Sequence, residues 1–140
     1  MWVSMQHKLI RKLKIFEKLK QQLKEMTILV EGKRDKEALI QAGIGKPESI
    51  VAINSQRMEI VASKLVGKEV AILTDYDRTG QAKAREAFDE LLSHNAKPNL
   101  ECRRTLRNVL GLYRIEEINT SIRDFDEKLE CIRNKPNTNE

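Results

Sequence analysis

Three acidic residues of this chain stand where carboxylates can do chemistry. Glu31 ends an apolar run, Thr27-Ile28-Leu29-Val30, and Gly32 follows it. Asp75 and Asp77 follow a second run, Val70-Ala71-Ile72-Leu73, with Tyr76 between them and Gly80 just beyond. Carboxylates crowded together raise one another's pKa unless a cation neutralises them. A hard divalent ion does so, and Mg²⁺ (or Mn²⁺) takes a few carboxylates and fills its shell with water and phosphate oxygens. Such a site suits phosphoryl transfer, in which the metal holds phosphate and activates water while a spare acid moves a proton. Asp-x-Asp at a strand end also has a plainer use, one Asp capping the next helix and the other solvated. Glu31-Gly32 after an independent apolar run shifts the weight toward chemistry.

For the acids to meet, the elements before them must share a sheet edge. Both runs are short, apolar and β-branched, which predicts buried strands, and Ser49–Ile53 reads as another. Each is followed by a helical segment: about Lys36 to Ala42, ended by Gly43; about Arg57 to Leu65, ended by Gly67; and Gln81 to His94 after a turn at Gly80. Asp35 reads as the cap of the first of these, and Asn54-Ser55-Gln56 turns into the second. Strand-helix alternation predicts an α/β fold with a parallel sheet of about four strands and helices on both faces. Asn99–Cys102 is the weak fourth strand. In such sheets ligands sit beyond the carboxyl ends of the strands, where Glu31, Asp75 and Asp77 would all fall.

Residues 4–25 predict a further helix, since Leu9, Leu13, Phe16, Leu19, Leu23 and Met26 form one stripe. Its other face is basic, and the stripe could pack on the domain or pair two copies as a homodimer. Arg103–Leu110 and about Thr120–Ile132 read as a helical extension, and 133–140 as a flexible tail. One domain over 1–140 is expected, with its α/β core at 26–102.

The chain has 140 residues, 40% of them apolar and 34% charged, which suits a globular protein. No apolar run approaches the ~20 residues needed to cross a membrane. No signal core is evident, so no membrane role and a cytoplasmic location are expected. His7, His94, Cys102 and Cys131 are scattered, which excludes the usual zinc spacings; a disulfide between the two cysteines stays open, with the reduced pair of a cytosolic protein expected ahead of it. The net charge of +5 is clustered, on residues 8–25 and at Arg103, Arg104 and Arg107, and clustered cations fit polyanions. Lys33 and Arg34 flank the first acid, Arg57 opens a helix near the same edge, and Arg78 lies between Asp77 and Gly80. Each could contact phosphate or simply be solvated. Glu86 and Asp89 read as surface charges, and Tyr76 as packing beneath the site.

The segments "TILVEGKRDKEAL" and "VAILTDYDRTGQAKARE" resemble the two motifs of the Toprim family. In that pattern one strand ends in Glu-Gly with Asp four residues past the Glu, and another ends in Asp-x-Asp-x-x-Gly. The family is the catalytic module of topoisomerases, bacterial-type primases, an rRNA-maturing endoribonuclease, recombination mediators and overcoming-lysogenisation-type nucleases. The resemblance covers about residues 26–102 and is nearest to the rRNA maturase and small stand-alone archaeal members. It implies that Glu31 is a general acid/base or metal ligand, that Asp75 and Asp77 bind Mg²⁺ or Mn²⁺, and that Gly32 and Gly80 are turn glycines admitting phosphate to the backbone. A nuclease on nucleic acid, RNA ahead of DNA, is the leading expectation. A non-catalytic nucleic-acid-binding or docking module is the alternative, and a primase-like nucleotidyl transferase the third. A topoisomerase would need a nucleophilic tyrosine on a separate domain, and neither Tyr76 nor Tyr113 has one.

Overall fold

The computed structural model describes residues 2–134; the rest of the expected tail, 135–140, lies outside them. Helix α1 (Trp2–Lys24) leads into β1 (Thr27–Val30) and α2 (Lys33–Gln41). Then come β2 (Ile50–Ala52), α3 (Met58–Ser63), β3 (Glu69–Ile72), α4 (Arg78–Ser93), β4 (Lys97–Asn99) and α5 (Glu101–Leu110). A 3-10 turn over Ile115–Glu117 runs into α6 (Ile118–Asn134), so Arg133 and Asn134, expected in the tail, are helical.

The four strands form one parallel sheet in the order β2-β1-β3-β4. Alternation along the strands divides the core into two layers. Ile28, Val30, Ala71 and Leu73 face a layer with α1, α2, α5 and α6, filled by Leu23, Leu39, Leu106 and Ile118. Leu29, Val70 and Ile72 face the other layer with α3 and α4, filled by Val61, Leu65, Ala87 and Leu91. Helices therefore cover both faces, as expected. Phe16, Leu19 and Leu23 bury the second half of the α1 stripe within the chain, while Met5, Ile10 and Ile15 stay exposed.

Of the boundaries that differ from expectation, three have a clear local reason. Helix α2 starts at Lys33 with Gly32 as its cap, so Asp35 is the third helical residue. Its carboxylate accepts from the Gly32 N–H at 3.1 Å, the reverse arm of a capping box; glycine has no side chain for the other arm. Helix α4 starts at Arg78 because Asp77 caps it, accepting from the Gly80 N–H at 2.7 Å. The fourth strand is Lys97–Asn99, not Asn99–Cys102. The Asn99 side chain accepts from the Cys102 N–H at 3.0 Å and starts α5 there. Pro98 fits β4 because that strand is an edge.

Neither expected turn glycine has a left-handed backbone. Gly32 is extended (φ −144°), and a Cβ there would meet nothing within 4 Å. Gly80 lies in the first turn of α4, where a Cβ would come within 2.0 Å of the Asp75 carbonyl oxygen. Glycine is required at 80 by close approach of two backbone segments, not by turn geometry. Gly80→Ala is therefore expected to destabilise the protein by at least about 2 kcal/mol, near the upper end of overpacking costs, because backbone cannot give way cheaply. Gly32→Ala should change stability by under about 1 kcal/mol. Urea melts of both variants test this, and equal midpoints would refute the packing argument.

Candidate functional site at the carboxyl edge of the sheet

The chain leaves β1 toward β2 and leaves β3 in the opposite direction toward β4, and β1 and β3 are neighbours. The crevice beyond their carboxyl ends is thus the topological switch point of the sheet. Glu31 leaves β1 there and Asp75 leaves β3, so the two motif acids share one edge. They also touch: the Asp75 N–H donates to Glu31 Oε2 at 2.7 Å, across 44 residues of sequence. Glu31 is 16% exposed, and its other oxygen faces Lys83 Nζ at 3.4 Å. Asp75 Oδ1 accepts from the Ile115 N–H at 2.8 Å, which ties the strand end to the turn before α6.

The acids form a strained electrostatic group. Burial raises the pKa of Asp75, and Glu31 and Asp77 raise it further, against the lowering pull of the Ile115 N–H and Arg114. Asp35 belongs to the same group although it reads from sequence only as a helix cap. It is 7% exposed. Its pKa rises to about 6, chiefly by burial and then by Asp75, with Glu31 and Glu116 adding to the rise and the Gly32 N–H opposing it. A carboxylate in the first turn of a helix is ordinarily stabilised by the dipole; here desolvation and like charge win. The signal for Asp35 was its place four residues past Glu31. Lys83 had no comparable signal, since only the packing of α4 brings it to Glu31.

The donor chemistry fits a hard divalent cation in part. The hydrogen bonds among the described residues use one oxygen each of Asp35, Asp75 and Asp77, leaving the second oxygen of each. One or two carboxylates with water and phosphate oxygens are the usual Mg²⁺ set. As the side chains lie, however, no three His, Cys, Asp or Glu among the described residues are grouped to hold a metal. Asp77 is both the expected cap and a possible ligand, since capping occupies only Oδ1.

The basic residues divide differently from expectation. Lys33, Arg34 and Arg78 are exposed at the first turns of α2 and α4. Arg57 is exposed but ion-paired to Glu59. Arg104 is exposed and paired to Glu101 at 2.7 Å. Arg103 is not available to phosphate: it is 8% exposed and donates to the carbonyls of Thr74 and Asp75 and to Gln81 Oε1. Tyr76 packs beneath the site as expected, its hydroxyl donating to the Arg103 carbonyl at 2.6 Å and its ring lying under Arg103 and Arg107. Cys102 and Cys131 are free thiols, and burial lifts the Cys102 thiol to about 11.

The raised pKa of Asp35 makes a linkage prediction. A carboxyl whose folded pKa exceeds its unfolded value stabilises most when protonated, and that stability is lost as pH rises through the folded value. Stability should therefore fall from about pH 4 to above pH 6 relative to Asp35→Asn, which keeps the acceptor for Gly32. At pH 8 in chelator the variant should be more stable by roughly 1–3 kcal/mol. Denaturant melts across that range check this; a pH-independent difference between the two proteins would refute it.

No family model matches the chain. It is 32% identical over 117 residues to UPF0292 protein MJ1624 of Methanocaldococcus jannaschii, covering 81% of this chain and 84% of that one. It is 36% identical over 94 residues to UPF0292 protein PF1724 of Pyrococcus furiosus, covering 66% and 70%. Among solved structures, a protein from Aquifex aeolicus superposes with a TM-score of 0.63 at 29% identity, over 74% of this chain and 94% of that one. Identity at this level over most of both chains makes this protein a member of the UPF0292 family.

Proposed function

We propose that this protein is a small Toprim-type phosphoryl-transfer enzyme, a Mg²⁺- or Mn²⁺-dependent nuclease acting on RNA in preference to DNA. The observation that carries the reading is the Glu31–Asp75 contact at the switch point, where two motif acids from separate strands meet. A metal bound at Asp75 and Asp77 would supply charge neutralisation and an activated water. Asp75 and Asp77 would present their second oxygens to it. Glu31, held in place by the Asp75 N–H and facing Lys83, would move the proton. Lys33, Arg34 and Arg78, exposed around the same edge, would hold the neighbouring phosphates, contacts that set register without reading sequence.

A second reading is a nucleic-acid-binding or docking module that does not cleave. It is favoured by the engagement of Glu31 on both oxygens, by a backbone N–H and an ammonium, which is how a structural carboxylate is satisfied.

Asp75→Asn and Asp77→Asn separate the two. Asparagine keeps the acceptor for Ile115 at 75 and caps as well as aspartate at 77, so the fold should survive both changes. Under the enzyme reading, each variant should lose about 100-fold or more of cleavage on labelled structured RNA with Mg²⁺ or Mn²⁺. Metal-free RNA binding should hold or tighten as a repulsive charge is removed. Glu31→Gln should abolish turnover while sparing metal binding. Wild-type protein inert on structured RNA, single-stranded RNA and DNA with either metal would establish the binding module instead.

A further inference from the structure

Strand β4 is only three residues long, and its last residue, Asn99, lies opposite Ala71. Beyond that point the edge of β3 has no strand beside it. Helices α4 and α5, which belong to opposite layers, flank the gap and leave a cleft of ≈ 320 Å³. Gln81, Arg85 and Phe88 line it from α4, and Arg104, Arg107 and Asn108 from α5. The spacing of three and four residues on each helix puts these side chains on facing stripes. None of the residues lining the cleft is acidic.

Among the described residues, the side chains of Arg85 and Arg107 make no hydrogen bond or ion pair. The Arg107 guanidinium is oriented only by the Tyr76 ring, 5.4 Å from its centroid, which leaves its N–H donors free. The partly buried Phe88 gives the cleft an aromatic wall. Forked cationic donors from two helices, an amide and an aromatic face are the complement of a phosphate attached to a base.

We propose that this cleft binds the terminal phosphomonoester of a nucleotide, with its base against Phe88. A monoester carries close to two negative charges near neutral pH, against one for an internal diester, and a bounded cleft with two unpaired guanidiniums favours the former. The ligand is a free nucleoside monophosphate or the phosphorylated end of a strand. The inference deepens the nucleic-acid reading above by adding a subsite on the far side of the Asp75–Asp77 loop. It is tested by binding alone, so it stands or falls whether or not the acids cleave.

Calorimetry on the full chain in chelator would compare AMP, inorganic phosphate, and one short RNA with a terminal phosphate or a terminal hydroxyl. The phosphorylated RNA should bind at least tenfold tighter than its hydroxyl counterpart. Arg85→Gln and Arg107→Gln, both at exposed positions, should each remove most of that difference, whereas Asp77→Asn should not. AMP binding that is equally sensitive to the two variants identifies the free nucleotide as a ligand; binding of the phosphorylated strand alone identifies the chain end. Inorganic phosphate binding as tightly as AMP would overturn the base-binding part of the proposal. Equal affinity for phosphate and hydroxyl ends together with no variant-sensitive AMP binding would overturn it whole.

Discussion

The loop after β3 carries carbonyls that no strand receives, because β4 ends before them, and Arg103 is what receives them. Its guanidinium donates to Thr74 O and Asp75 O and braces itself on Gln81, while the Tyr76 ring lies against it at 4.5 Å. Burial lowers its pKa, yet an arginine remains charged under such a shift. Without that cation the two carbonyls would be buried and unpaired. Gly80 closes the other side of the loop: Thr74 Oγ1 donates to its carbonyl, and its missing side chain lets α4 press on Asp75. The position of Asp75, and through its N–H that of Glu31, follows from these contacts.

This frame makes the acid group possible at a cost it does not fully offset. Asp35, Asp75 and Asp77 each gain one backbone N–H, and Glu31 gains a backbone N–H and Lys83. The upward shifts at Asp35 and Asp75 show that the residual repulsion and desolvation exceed what those donors return. A fold selected for stability alone would replace one of these carboxylates with an amide or an apolar group. Raised pKa values of this kind are common where a site receives a cation or holds a proton, and structural ion-pair networks raise them too.

The strands were legible because each is a short apolar run bounded by polar or glycine residues, and the parallel sheet follows from the helices between them. Glu31 and Asp75 were legible as edge residues for the same reason. Helix starts were missed where the capping group is itself a motif residue: Asp77 looked like a ligand and Gly32 like a turn, so α4 and α2 were each begun three residues late. Arg103 was misplaced because a cluster of arginines reads as a solvated face, and nothing local reveals that one of them points at a strand end 28 residues earlier. The contact of Lys83 and the raised pKa of Asp35 arise only from tertiary proximity, and the basic cleft only from the shortness of β4.

The Asp75–Asp77 loop thus separates two opposite electrostatic environments with very little material. Its carboxylates belong to the acidic crevice at the switch point, while Tyr76, between them in sequence, turns to Arg103 and Arg107 beside the basic cleft. Both environments are fixed by the same backbone, since Arg103 holds the Asp75 carbonyl and Glu31 holds the Asp75 N–H of that one residue. Under the proposed action on nucleic acid, that arrangement would keep repulsion and attraction for phosphate in adjacent but separate places, so that a strand would be held by one while a different phosphate is brought to the other.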